Sequence, residues 1–357
     1  MKKIFLCIIF SFIFFLSCVK PTEEEKNVYF NIDILNPLEQ DSYRYTYDKE
    51  CGKIYFVDKN AKIYEINENG NNKELIFSAE KYDHVYIDNI YYYDHFIYFV
   101  DQKSKIKGFY KIDLNNGELL KIEIDEEFFD FAYIDQYMIY DNEIYISKTY
   151  WEGLWKINLE NLELIYYGNL RGNFCFDTEY LYVQSGQKIY KIAKEPKDDN
   201  VETIDTAFIV KDGLQIGNIY LSNEKIFYSA YNWTNDTDAT DANPYRYYLY
   251  CSNRDGTEPK KINTDVLFGG VLFEKSGYIY FIEKNSGHLY RFSSTDETIE
   301  QVCDLDMKYY DHRVIGDYLY IDEIDEKREN IGFNVMRIHI DNGKDKFAIE
   351  KINWLDN

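Results

Sequence analysis

Residues 54–58 read Ile-Tyr-Phe-Val-Asp, and residues 97–101 read Ile-Tyr-Phe-Val-Asp again. Looser copies follow at Ile144-Tyr145-Ile146, Leu181-Tyr182-Val183, Ile226-Phe227-Tyr228, Ile279-Tyr280-Phe281 and Leu319-Tyr320-Ile321. Successive starts lie 43, 47, 37, 45, 53 and 40 residues apart. β-Branched and aromatic residues at this density suit a pleated, half-buried strand. A recurrence at this spacing means that one supersecondary unit is used again and again.

Working outward from each opener, a second apolar segment follows: Ile63-Tyr64-Glu65-Ile66, Phe109-Tyr110-Lys111-Ile112, Leu154-Trp155-Lys156-Ile157, Ile189-Tyr190-Lys191-Ile192, Leu249-Tyr250-Cys251, Leu289-Tyr290-Arg291-Phe292 and Val335-Met336-Arg337-Ile338. These alternate apolar and polar, because successive strand side chains point to opposite faces. Asn69-Gly70, Asn116-Gly117, Asp255-Gly256 and Asn342-Gly343 then supply turn chemistry suited to tight hairpins. A third segment such as Glu74–Phe77 or Phe347–Glu350 follows, and an aromatic stretch ahead of each opener, such as Val85–Tyr92 or Val271–Phe273, supplies a fourth strand. Four short antiparallel strands per unit predict an all-β β-propeller of seven four-stranded blades, with six or eight as the alternative counts. The competing architecture, a solenoid of β-turns, uses shorter repeats. The segment Asn27–Leu35 precedes the blade-one strand, expected at Ser42–Tyr47, and is expected to pair with the last blade and close the ring.

The succession of Ile-Tyr-Phe-Val-Asp, Ile-Tyr-Xaa-Ile and Asn-Gly resembles the six-bladed YWTD propellers of low-density-lipoprotein-receptor-related proteins. It is closer still to a bacterial domain of unknown function described as a receptor-related-protein-like β-propeller. The resemblance runs from Ser42 to Asn353 and implies a propeller in an exported protein. The motif aspartate stands only at Asp58 and Asp101, replaced by Lys148, Ser185, Ala230, Glu283 and Glu323 in the other copies. Fold carries over on this basis; ligand does not.

The chain opens MKKIFLCIIFSFIFFLSC, two lysines and an apolar run from Ile4 to Leu16. This is the layout of a secretory signal over residues 1–17, and the run is short of the roughly 20 residues a membrane-spanning helix needs. Phe15-Leu16-Ser17-Cys18 resembles the bacterial lipobox, which implies that Cys18 carries lipid and starts the mature chain; an ordinary secretory signal with an incidental Cys18 is the alternative. Residues 18–27 then form a polar tether, and residues 28–357 form the propeller domain. This places the protein outside the cytoplasm, anchored through lipid on the periplasmic or cell-surface side. The domain is expected to be monomeric.

The formal charge is −23, a surface that repels phosphate backbones, so nucleic acid is excluded as a partner. A protein, peptide or glycan partner fits. Cys51, Cys175, Cys251 and Cys303 are spaced too widely for a zinc ribbon or redox pair, and they stand either as disulfides or as buried thiols.

No hydrolase elbow, metalloprotease motif or dinucleotide loop occurs in the chain, and no catalytic residue or cofactor is assigned. Function is therefore sought on the face where the second-to-third strand connections open, here called the top. Tyr150 and Trp151 lie in the blade-three connection; Tyr231, Trp233, Tyr245 and Arg246 lie in the longest insertion, in blade five. Long loops on a rigid frame are where recognition concentrates. Asp236, Asp238 and Asp241 in that insertion offer hard oxygen ligands for Ca²⁺, or a solvated loop. His84 and His312, each in a Tyr-Asp-His triplet, are placed near the top, whereas His95 falls at a bottom hairpin. Each either contributes to a top-face cluster or caps a strand end. A binding or scaffold module is the leading reading. The alternative is an exported hydrolase or lyase acting on glycans or peptides through acids such as Glu152, Asp236, Asp238 or Asp311.

Overall fold

A computed structural model describes residues 45–353 except 49, 59, 68–71, 83–84, 104–106, 130–133, 149–152, 171, 196–207, 210–213, 223–224, 232–246, 263–267, 276, 284–285, 294–296, 304–311, 316–317, 324–333 and 340–348. Within these residues the chain forms seven four-stranded antiparallel sheets, each from four consecutive strands. Blade one is β1 (Tyr45–Asp48), β2 (Lys53–Val57), β3 (Lys62–Asn67) and β4 (Glu74–Ser78); blade two is β5 (Asp88–Tyr93), β6 (Phe96–Asp101), β7 (Gly108–Asp113) and β8 (Glu118–Ile122). Blade three is β9 (Ile134–Tyr140), β10 (Glu143–Lys148), β11 (Gly153–Asn158) and β12 (Leu164–Gly168); blade four is β13 (Phe174–Phe176), β14 (Tyr180–Ser185), β15 (Lys188–Ala193) and β16 (Phe208–Ile209). Blade five is β17 (Gln215–Leu221), β18 (Lys225–Tyr231), β19 (Tyr247–Asn253) and β20 (Lys260–Lys261); blade six is β21 (Phe268–Lys275), β22 (Tyr278–Glu283), β23 (Leu289–Ser293) and β24 (Ile299–Cys303). Blade seven is β25 (His312–Ile315), β26 (Tyr318–Glu323), β27 (Asn334–His339) and β28 (Ile349–Asn353).

Consecutive blades touch chiefly through their first strands: β1 meets β5, β5 meets β9, β13 meets β17 and β17 meets β21. First strands therefore surround the axis, and fourth strands form the rim. The aromatic residues of the openers fill the spaces between sheets: Tyr55, Tyr98, Tyr145, Tyr182, Tyr228 and Tyr280 are all buried. Tyr55 stacks on Tyr92 across blades one and two, and Tyr145 packs on Phe176 across blades three and four. The tyrosine density serves packing between blades, where a flat ring covers a neighbouring sheet and its hydroxyl reaches a polar edge.

Strand ends arise from local chemistry. Asp94 and His95 form the bottom turn of blade two with φ of 45° and 63°, and Asp141 and Asn142 do the same in blade three at 50° and 63°. Two successive left-handed residues match the twist of a two-residue hairpin. The aspartates that close the two identical openers cap main-chain donors nearby. Asp58 accepts from the N–H groups of Asn60 and Lys62, and Asp101 from those of Tyr86 and Lys103. That second cap explains why β5 starts at Asp88 instead of Val85: the Tyr86 N–H is taken by a carboxylate instead of a ladder. The blade-one inner strand is β1 at Tyr45–Asp48. The proposed closing segment Asn27–Leu35 lies outside the described residues, and blade seven has four strands of its own.

Candidate functional site

The geometry of the top face begins with the second-to-third strand connections. They cover residues 58–61, 102–107, 149–152, 186–187, 232–246, 284–288 and 324–333 in blades one to seven. Blade five carries the longest, and it leaves from a closed strand pair: Tyr231 ends β18 and pairs with Tyr247, which opens β19. Tyr231 is half-buried at the root of the insertion. His312 opens β25 opposite Ile321, at the top end of an inner strand. His84, Tyr150, Trp151, Glu152, Trp233, Asp236, Asp238, Asp241, Tyr245, Arg246 and Asp311 lie outside the described residues, as does Cys18. His95 sits exposed in its bottom hairpin, on the face away from the insertion. Among the described residues no three His, Cys, Asp or Glu side chains come together to hold a metal ion. Cys51, Cys175 and Cys251 are free thiols.

Around the top, two side-chain amides reach from one blade to the next. The Gln102 carboxamide donates to the Ile134 carbonyl at 3.2 Å and accepts from the Ile134 N–H at 2.6 Å. Gln136 repeats this with Phe174, at 3.2 and 3.1 Å. Both are two-point pairs between a side-chain amide and a peptide group, satisfying backbone atoms that the inner strand leaves without a ladder partner. Lys148 stands where the openers of blades one and two have aspartate. Its side chain is buried, its amine donates to the Phe128 carbonyl, and it lies 4.1 Å from the Phe128 ring centre. That ring in turn packs edge-on against Trp155, whose ring lies 4.6 Å from that of the exposed Tyr166 and is tilted 39° to it. An aromatic ledge thus runs from the blade-three top connection to the rim.

The lower half is built from charge. Lys156 bridges Glu143 at 2.8 Å and Glu195 at 2.7 Å. Burial pulls its ammonium pKa down, but the two carboxylates outweigh that and hold it above the ordinary value. The Tyr145 hydroxyl donates to Glu143 at 2.6 Å, and burial with that carboxylate pushes the phenol far up. Lys194, whose neighbours are the rings of Tyr140, Phe176 and Tyr145, has its pKa lowered by burial. Asp177 pairs with Arg254 at 3.1 Å across blades four and five.

Reading the sequence by its apolar repeat misses the side-chain amides. Eight residues ahead of the openers at 54, 97, 144, 181 and 226 stand Thr46, Asn89, Gln136, Asn173 and Asn218. The apolar pattern masks this polar one, although the same counting from each opener finds it.

No family model matches the chain, and no curated protein matches it in sequence. Solved structures do match in fold. An oligogalacturonate lyase from Vibrio parahaemolyticus superposes with a TM-score of 0.53 at 13% identity, covering 90% of this chain and 91% of its own. A structure of S. cerevisiae Dbp5 bound to Nup159 and Gle1 gives 0.53 at 10% identity, with 86% and 90% covered. A puromycin-hydrolyzing peptidase from Mycobacterium tuberculosis gives 0.54 at 8% identity, covering 90% of this chain and 54% of that one. At these identities the likeness is one of architecture alone. Such frames carry both enzymes and members of protein assemblies, and the chain is a β-propeller.

Proposed function

We propose that the protein is an exported, lipid-anchored propeller that acts as a binding or scaffold module, its partner a protein, peptide or glycan met on the top face. The observation that carries the reading is the contrast in connections: the bottom hairpins of blades two and three close in two residues, whereas residues 232–246 leave the top between paired Tyr231 and Tyr247. A long connection on a rigid ring is where recognition concentrates, and the longest, in blade five, opens on the top face. Tyr150 and Trp151 in the blade-three connection, and Trp233, Tyr245 and Arg246 in the insertion, supply residue types that anchor interfaces. His84 and His312 belong to the same face, and Asp236, Asp238 and Asp241 would hold Ca²⁺ within the insertion. The lipobox-like Cys18 supplies the anchor.

The test is a pull-down from native membranes with the soluble chain starting at Asn27. The partner retained by the wild type should be lost when Trp151 and Trp233 are both changed to alanine. Retention unchanged by both substitutions overturns the top-face reading. Separately, incorporation of radiolabelled lipid should vanish in Cys18→Ala, and persistence of the label removes the anchor.

A further inference from the structure

Position eight ahead of the opener has a structural use that the fold itself displays. Thr46 accepts the Tyr92 N–H of blade two at 2.9 Å, Gln136 clasps the Phe174 peptide group of blade four, and Asn173 donates to the Asn218 carboxamide of blade five at 2.7 Å. Each bond passes from one inner strand to the next. Of the five sites, only Gln136 uses both donor and acceptor among the described residues; Thr46 only accepts and Asn173 only donates. Among the described residues the Asn89 carboxamide makes no hydrogen bond, and that of Asn218 receives the bond from Asn173 and donates none. Both residues are only half-buried, and both sit where the inner-strand register shifts, between Asp88 and Tyr91 and between Ile216 and Ile219. A bulge lifts main-chain groups out of the ladder.

Inner strands also pair on one side only: β5, β9, β13 and β17 each end their sheet. Their other edge faces the axis; neighbouring blades take up part of its main chain, at Asn89, Tyr92, Ile134 and Phe174, and what such an edge leaves over is a template for another chain. Here that edge carries side-chain amides in a protein with 63 acidic residues. A carboxamide offers donor and acceptor together, which matches the N–H and C=O of one residue, as Gln102 and Gln136 demonstrate within this molecule. A cation or polyol site would have had carboxylates readily to hand, and a polyanion is opposed by the net charge.

We propose that the upper axial channel between blades two and five binds an extended peptide of neutral or basic composition through its main chain, with Asn89 and Asn218 as the pairing residues. This rests on the binding-module reading and sharpens it to a peptide and to the axis. Recognition by main chain makes the site tolerant of side-chain sequence and sensitive to the peptide N–H groups.

The probe is an array of immobilised peptides of about twelve residues with net charge from zero to positive, each with a counterpart N-methylated at alternate residues. The soluble chain from Asn27 should retain a set of array peptides and lose at least about ten-fold in affinity for the N-methylated forms. Asn89→Gly and Asn218→Ala together should lose a comparable factor. Asn89→Gly alone keeps the test informative if the pair folds poorly, since glycine adopts the φ of 52° without strain and no described hydrogen bond is removed from the side chain. Equal capture of methylated and unmethylated peptides, or capture unaffected by Asn89→Gly, overturns the proposal. Capture that depends on Trp151 and Trp233 but on neither asparagine overturns it while leaving the top-face function standing. Absence of any captured peptide overturns it too, and the membrane pull-down then judges the function alone.

Discussion

The two ends of this ring solve the same problem with different chemistry. At the bottom, blades are joined through titratable groups: Glu143, Lys156 and Glu195 between blades three and four, Asp177 and Arg254 between four and five. At the top, Gln102, Gln136 and Asn173 join blades through neutral amides. Charges held in a half-buried site bind strongly to a fixed partner and tie stability to pH. Neutral amides keep spare donors and acceptors and leave the surface available. The bottom seams of blades three to five are fastened by ion pairs, and the top seams of blades two to five by neutral amides together with the Lys148 amine on the Phe128 carbonyl.

Alkaline pH should break the comparison most severely. Tyr145, Tyr167, Tyr182 and Tyr228 are held far above the ordinary phenol pKa, first by burial and, in the first three, also by Glu143, Glu195 or Asp177; Tyr98 is pushed up to about 12, first by burial. The folded state therefore keeps protons that the unfolded chain releases above about pH 10. Stability contributed by these groups is complete below that pH and falls above it by up to about 1.4 kcal/mol per pH unit for each phenol. Denaturant midpoints followed from pH 8 to 11 should drop steeply past 10, with tyrosinate absorbance appearing in step with unfolding. Tyrosinate rising in the folded protein first would show that the hydroxyls are not buried as described.

Among substitutions, Lys156→Ala should cost most, about 3 kcal/mol, because it leaves the Glu143 carboxylate half-buried without its cation. Lys111, at the same place in blade two, has Phe96 beneath its amine at 4.3 Å where blade three has Glu143. Its replacement by alanine should cost less than about 1 kcal/mol. Urea midpoints compare the pair, and equal losses would mean that one aromatic-to-acid exchange does not set the chemistry of the seam. At the top, Gln136→Ala should cost about 2 kcal/mol by orphaning the Phe174 N–H and carbonyl, with no change in the alkaline transition. The smallest effect is expected from Arg254→Ala, about 1 kcal/mol and reduced by salt, since the guanidinium is partly exposed.

Much of the frame was legible because its signal is local and repeated. Ile-Tyr-Phe-Val-Asp names a strand, alternation names the faces, and seven copies name seven blades. The distance from Ile97 puts His95 at a bottom hairpin, and His95 and its neighbour Asp94 both carry left-handed backbone there. The joints between blades were harder to read. Gln136 and Phe174 meet across 38 residues, and Asp177 and Arg254 across 77, and nothing in either neighbourhood announces its partner. Lys148 shows the same gap from another side. In sequence it is only a departure from the motif aspartate, and the Phe128 carbonyl and ring show why a buried amine fits. Of the candidate recognition residues, Tyr231 and His312 are placed at the roots of top-face connections.

The central claim is that one face of the ring meets a partner and the other does not. A photoreactive amino acid placed at position 151 or 233 on the top, and at 95 or 116 on the bottom, tests it in native membranes. The account predicts a partner adduct from positions 151 and 233 and none from 95 and 116. Adducts from the bottom positions, with none from the top, would contradict it.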